Sequence, residues 1–391
     1  MLLINNILSS FKREVRDIIY NRLYRAIIIV IPIVMILFFT IMFYRGKIED
    51  LPIAVVDKSH SSSSHTLITM IDATQGIKVA YEVQSMAEAE RLMLHGEALA
   101  IIYIDEDFER NILSGIPAKV EGYTLGTNIS ADGITESNIQ QTVMTLSSGI
   151  ALNRLQAMGM KYDEAIVDIM PINILTNIVA NPYLNYGYYL APIFMFMGIV
   201  ILTVVSTVYA FGRELRYATA PGWLEASKGS LLAAVIGKML PITIIMTIMM
   251  QLILLILTVI MGMECMGSYI YITLGGILFI VAYQSVAIFI ISITSNLRLG
   301  LSLGGGYAVM AFTFSGITFP VTAMFEAIQP FSKLFPLTYF SEIFIDQMML
   351  GTPISYDITN TAMLILFILL IVAIWHRLNR VVRNDKYWSK S

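Results

Sequence analysis

Six stretches of the chain are apolar almost throughout: 26–44, 188–211, 231–261, 269–293, 299–319 and 358–375. A helix needs about 20 apolar residues to cross a hydrocarbon core, so the pattern predicts six spanning helices. The third stretch is long enough to tilt or to carry a non-spanning turn. The fifth runs into a semi-apolar segment broken by Pro320, Pro330 and Pro336. That pattern predicts short helices over 320–345 that dip into the outer leaflet and turn back, which a bilayer tolerates only when they pack against other helices. Ahead of the first span, Ile4, Ile7, Leu8, Phe11, Val15, Ile18 and Ile19 share one helical face, and Lys12, Arg13, Glu14, Arg16 and Asp17 take the other. Residues 1–25 therefore predict a basic amphipathic helix lying in the membrane interface.

Segment 45–187 follows a different rhythm. Short apolar runs at 51–57, 77–83, 98–104 and 118–125 alternate with helical patterns at 86–96 and after Asp105, and 132–160 reads as a long helix. Strands alternating with helices predict a small α/β domain with a largely parallel sheet, folded in water. Its cluster of Asp57, His60 and several serines invites a hydrolytic reading, but no G-x-S-x-G elbow is present. Ser59 or Ser61 as a helix cap accounts for it more simply. His60 and His65 are five residues apart, which misses the i,i+4 face of helical zinc ligands, and they are expected at the surface.

Composition sharpens the class. Of 391 residues, 57% are hydrophobic and 14% charged, against roughly 45–50% and about 25% in soluble globular proteins. A wholly soluble enzyme is excluded, as is disorder. The net charge of −3 gives no drive toward nucleic acid, and the single Cys265 excludes an internal disulfide or a thiolate cluster. The short segments 1–25, 212–230, 294–298 and 376–391 hold 14 Lys and Arg in 65 residues, whereas 45–187 holds nine in 143. Short basic segments stay inside. Both termini, including the tail 376–391, are thus expected in the cytoplasm, with 45–187 outside and the first span retained as an anchor.

The spans show almost no ionisable groups, which disfavours ion-coupled transport, and no filter or charge ring points to a channel. Lys238 sits near the start of the third span and is expected to snorkel to the surface. Gln251 and Gln284 are the deepest strong polar groups; they either line a path or hydrogen-bond between helices. Gly300 and Gly304, with Gly305 and Gly306 beside them, allow close helix approach, within the chain or between subunits. Gly237-Lys238 is followed by Met239 and lacks the P-loop spacing, so any ATP-driven work needs a partner. The loop 212–230 carries a Pro221-Gly222 turn and an exposed-looking Trp223. With Glu225, that residue reads either as a protein-contact surface or as a headgroup anchor.

Taken in order, these features resemble the permease subunit of ABC-2-type exporters, in the six-span branch with a large extracytoplasmic domain after the first span. LPIAVVDKSHSS at 51–62 is similar to the family's opening strand, and NPYLNYGYYLAP at 181–192 to its approach to the second span. Arg213, Glu214 and Thr219 match an Arg-Glu…Gly-Thr motif, with Ala218 in place of the glycine. GKMLP at 237–241 matches the start of the third span. The segment 319–344 resembles the re-entrant hallmark through Pro320, Pro336, Leu337, Thr338 and Tyr339, with Phe325 where a proline is common.

The resemblance implies a polytopic α-helical half-transporter with an inserted α/β domain, set in a bacterial cytoplasmic membrane. Its implied partners are cytosolic P-loop ATPase subunits, which would hold ATP and Mg, and a second permease subunit, identical or related. The surrounding lipid and an envelope partner of the outside domain complete that set; this chain itself would bind no cofactor or metal. Residues 212–230 would carry the coupling helix, with Arg213, Glu214, Thr219, Trp223 and Glu225 as its contacts. The cargo expected is hydrophobic or amphipathic. The competing class is a membrane receptor or assembly scaffold whose outside domain binds a partner. An intramembrane enzyme lacks the paired groups that buried hydrolysis would need.

Overall fold

The computed structural model describes residues 2–172, 179–181 and 185–388, and it divides into two compact units. Met1–Gly46 joins Ile178–Ser391 in one, and Lys47–Asn177 forms the other. The chain opens with α1 (Leu2–Tyr20). Its buried line is Ser10, Glu14 and Ile18, four residues apart, while Leu3, Ile4, Leu8 and Ile19 are exposed. This corrects the sequence expectation for Glu14, which was assigned to the solvated face with Lys12 and Arg16. The side of α1 that meets the bundle is the edge between its polar and apolar faces, with Lys12 and Arg16 exposed beyond one border and Ile4, Leu8 and Ile19 beyond the other. Asn21 then caps the first span (Arg22–Phe43) by accepting the Tyr24 N–H, and one π turn, Ala26–Val30, interrupts it.

In the second unit, β1 (Leu51–Asp57), β2 (Ile77–Glu82), β3 (Ala100–Ile104) and β4 (Val120–Thr124) form one sheet in the order β2-β1-β3-β4. β1 is parallel to both neighbours and β4 is antiparallel to β3. The period-2 alternation of β1 divides the core. Ile53 and Val55 face α2 (Ser62–Asp72), while Ala54 and Val56 pack with Ala89 of α3 (Met86–Leu94). α4 (Phe108–Ser114) and the long α5 (Ile129–Ala157) share the α2 side, and α6 (Tyr162–Ile169) packs on α5. Ser61 is the N-cap of α2 in a reciprocal capping box with Ser64. Asp57 accepts the Ser59 and His60 N–H groups at 3.0 and 3.1 Å and the Ser64 hydroxyl at 2.7 Å. The serine cluster is thus spent on starting a helix, and His60 and His65 are exposed.

Back in the first unit, the second span (Tyr186–Arg216) is the most buried, packed by the first, third, fourth and fifth. Of the motif that precedes it, residues 182–184 lie outside the described residues. α7 (Ala220–Ala226) follows, and Pro221 and Gly222 lie within its first turns instead of forming a turn before it. The third span (Leu231–Ile260) is a continuous helix closing in a π turn at Ile256–Ile260, so its extra length is helix. The fourth (Tyr269–Thr294) and fifth (Leu297–Phe314) come next.

Pro320 is exposed and outside any helix of length. α8 (Gln329–Ser332) then hands over to α9 (Pro336–Phe344), which packs on the fourth and sixth (Ile354–Arg383) spans. The Pro-Leu-Thr-Tyr run explains that handover. Pro336 opens α9, where a missing N–H costs nothing, and the Leu337 N–H donates to the Tyr283 hydroxyl at 3.2 Å. The hydroxyls of Thr338 and Tyr339 reach back to the carbonyls of Ser332 and Lys333 at 2.7 and 3.0 Å. Both carbonyls lie at the end of α8, where acceptors lack intrahelical partners; that of Ser332 also accepts the Phe335 N–H at 3.3 Å. Phe340 stacks on Phe279 at 4.4 Å.

Candidate functional site

α1, the end of the second span, α7 and the start of the third span meet in one buried polar knot. Gly237 makes the approach feasible: a Cβ there would stand 2.6 Å from the Ile7 carbonyl oxygen and from Ser10 Cβ. One residue on, Lys238 turns into the knot with only 1% of its side chain exposed, ion-paired with Glu14 and donating to Glu214 Oε1 at 2.9 Å. This corrects the expectation that Lys238 snorkels outward. Two carboxylates from neighbouring helices hold it inside, which a single-chain pattern cannot display.

The remaining lone pairs are also met. Arg13 donates to Glu214 Oε2 at 3.0 Å and the Thr219 hydroxyl to the same oxygen at 2.6 Å. The Tyr24 hydroxyl donates to Glu14 Oε1 at 2.5 Å. Arg213 pairs with Asp17 and lies over the Tyr24 ring, 5.6 Å from its centroid. Oxygens of Glu14, Asp17 and Glu214 come within 4.8 Å of one another, as in a metal site. Arg13, Arg213 and Lys238 already balance them one for one, so the charge that would draw a metal is spent.

Trp223 ties α7 to this knot. It is 1% exposed, against the expectation of an exposed contact. Its indole N–H is shared between Ser10 Oγ at 3.2 Å and the Ala234 carbonyl at 3.3 Å, and Ser10 donates to that carbonyl at 3.0 Å. Phe211 meets the ring edge-on at 5.5 Å, and Leu378 and Val382 from the sixth span close the niche. Burial of Trp223 turns the opposite side of α7 outward, so Pro221, Gly222 and Glu225 are exposed. Of the five predicted coupling residues, Arg213, Glu214 and Trp223 work within the chain, Thr219 is exposed with its hydroxyl on Glu214, and Glu225 is exposed on α7.

The other predicted residues sit elsewhere. Gln284 donates to the Met239 carbonyl at 3.2 Å and accepts from Thr243 at 2.8 Å; Gln251 donates to Thr273 at 3.2 Å. Both glutamines are therefore engaged between the third and fourth spans. Gly300 faces Val208, and Gly304 faces Val204, of the second span, where added Cβ atoms would lie 3.1 and 2.8 Å away. Gly305 and Gly306 face open space. Pro320, Pro336, Thr338 and Tyr339 belong to the α8–α9 handover. Sequence reasoning missed Ser10, Arg13, Glu14 and Asp17 as members of the knot. The available signal was Ser10 and Glu14, one helical turn apart on a short helix, with one lysine in an otherwise apolar span.

The knot holds no nucleophile with an activating base. It joins α1, two spans and α7 through six ionised side chains. Displacing Lys238 would leave Glu14 and Glu214, each at 1% side-chain exposure, without their shared cation. The family model described as ABC-2 family transporter protein matches residues 22–376. Comparison with curated proteins finds no match, and none is found among solved structures. Six helices long and apolar enough to cross a membrane occur among the described residues, in keeping with that model. The chain belongs to the ABC-2 family of transporter proteins, as a membrane-embedded permease subunit.

Proposed function

We propose that this permease subunit exports a hydrophobic or amphipathic substrate, driven by separate cytosolic ATPase subunits that dock on the exposed side of α7. The observation that carries the reading is the knot. It makes α7 continuous in force with α1 and with the second and third spans, which is what converts a push from a partner into movement of a path. In this reading both termini and α7 lie on the cytoplasmic side of a bacterial inner membrane, and Lys47–Asn177 lies outside. ATP and Mg belong to the partner, and a second permease subunit completes the path. Glu225 and the backbone at Pro221-Gly222 are the docking contacts, while Trp223, Arg213 and Glu214 anchor the helix from behind.

The test is gentle purification of the tagged chain from its native membrane, with identification of co-purifying proteins. A P-loop ATPase is expected, and Glu225→Lys is expected to release it. Recovery without any ATPase, under conditions that keep a known complex intact, would favour the receptor or scaffold reading instead. Retention by Glu225→Lys would refute the docking surface alone.

A further inference from the structure

The Lys47–Asn177 unit contains a largely apolar pocket of about 470 Å³, open to solvent, between α5 and the α4–β4 connection. Val143, Leu146 and Ile150 line one wall as a stripe along α5, with Ile116 and Val120 opposite and Phe108 beneath. Among the side chains around it, only Ser147 and Arg154 are polar. Arg154 stands in the last turn of α5, exposed at the rim, with its guanidinium over Gly115, where a Cβ would lie 2.6 Å from Nη1. Among the described residues its side chain makes no ion pair or hydrogen bond.

We propose that this pocket binds a single-chain amphiphile with an anionic head, of the fatty-acid class. Its volume falls within the range of small-molecule sites, roughly 300–1,000 Å³. A guanidinium without a partner is matched by a carboxylate, to which it can donate two parallel hydrogen bonds. The lining also selects against a peptide. A buried peptide brings an N–H and a C=O per residue, and one hydroxyl in the wall could not satisfy them, whereas an alkyl chain asks for nothing polar. The site is independent of the transport reading, because it needs only this unit and does not involve α7.

The test uses the full chain in phosphatidylcholine nanodiscs, irradiated with a diazirine-bearing palmitic acid, with adducts mapped by mass spectrometry. Labelling is expected on peptides covering 108–120 and 143–155, at least tenfold above that by the matching diazirine hexadecanol. Arg154→Glu should reduce it tenfold or more, and Arg154→Lys should retain most of it. Ala151→Trp, which fills the cavity, should abolish it with Arg154 in place. Adducts confined to the spans, equal labelling by acid and alcohol, or indifference to Arg154→Glu would each overturn the proposal. Loss of ATPase recruitment would bear only on the transport reading, and pocket labelling only on this one.

Discussion

Lys238 carries the sharpest consequence of the knot. Replacing it by Met leaves Glu14 and Glu214 buried, each at 1% side-chain exposure, without their shared cation. Removing one partner of a buried pair costs about 3–5 kcal/mol. Adding Glu14→Gln and Glu214→Gln removes the stranded charges, so the triple variant should regain much of that loss. Thermal unfolding in detergent, followed by tryptophan fluorescence, measures both; a Lys238→Met protein as stable as the parent would dispose of the ion-pair account. Ala218 offers an opposite case. It has φ of +53°, the left-handed region, at the position where the resembling motif has glycine. A non-glycine residue there costs about 1–2 kcal/mol, so Ala218→Gly should stabilise by about 1 kcal/mol and Ala218→Val should do the reverse. A stability ranking in which Val exceeds Gly would contradict this. The motif was legible in the sequence, but its reason was not: the backbone angle is set by the chain leaving the second span to start α7.

Periodicity made most elements readable. The alternation of β1, the Ser61 cap and the span lengths follow from residue type and spacing, which act locally. The orientation of α1 was not readable, because hydrophobic spacing names an apolar face without saying what covers it. The answer lies in Gly237, more than two hundred residues away, which lets the edge carrying Ser10 and Glu14 come close. Gly237→Val should therefore force α1 off the third span, since even a Cβ would meet the Ile7 carbonyl at 2.6 Å. Limited proteolysis near Asn21 is expected to become fast in this variant and stay slow in the parent; equal rates would mean α1 is held by other contacts. The re-entrant hallmark behaves similarly. Thr338→Val should destabilise by about 0.5–1.5 kcal/mol, because it removes the shorter of the two hydrogen bonds to the buried Ser332 carbonyl, which keeps the Phe335 N–H at 3.3 Å. Thr338→Ser should restore most of that stability. If Ser and Val lose equally, packing of the methyl group, not the hydrogen bond, governs the handover.

The separate units follow from a composition shift that any reading of the chain detects, since one is apolar throughout and the other is acidic and alternating. What joins surface to membrane is harder to see, because it depends on which side of α7 faces inward. The buried Trp223 fixes α7 to the helices behind it, with Glu225 on one side and Ser10 and Ala234 on the other; on the transport reading that makes α7 a lever and not only a docking patch. Binding and coupling should therefore separate by mutation. Trp223→Phe keeps an aromatic ring in the niche of Phe211 but loses both indole hydrogen bonds, and it leaves the outer side of α7 untouched. If the transport reading holds, this variant retains the ATPase and its hydrolysis but no longer passes the stroke to α1. Nitroxides introduced at Lys12→Cys and Ile293→Cys, both exposed, in a Cys265→Ser background that removes the native thiol, would report that stroke. Their spin–spin distance should change on trapping the parent complex with ATP and vanadate, and should stay fixed in Trp223→Phe. An unchanged response in Trp223→Phe would mean that the ion pairs alone transmit the movement. Loss of the ATPase from that variant would mean that α7 is not held rigidly enough by its remaining contacts to be a docking surface at all.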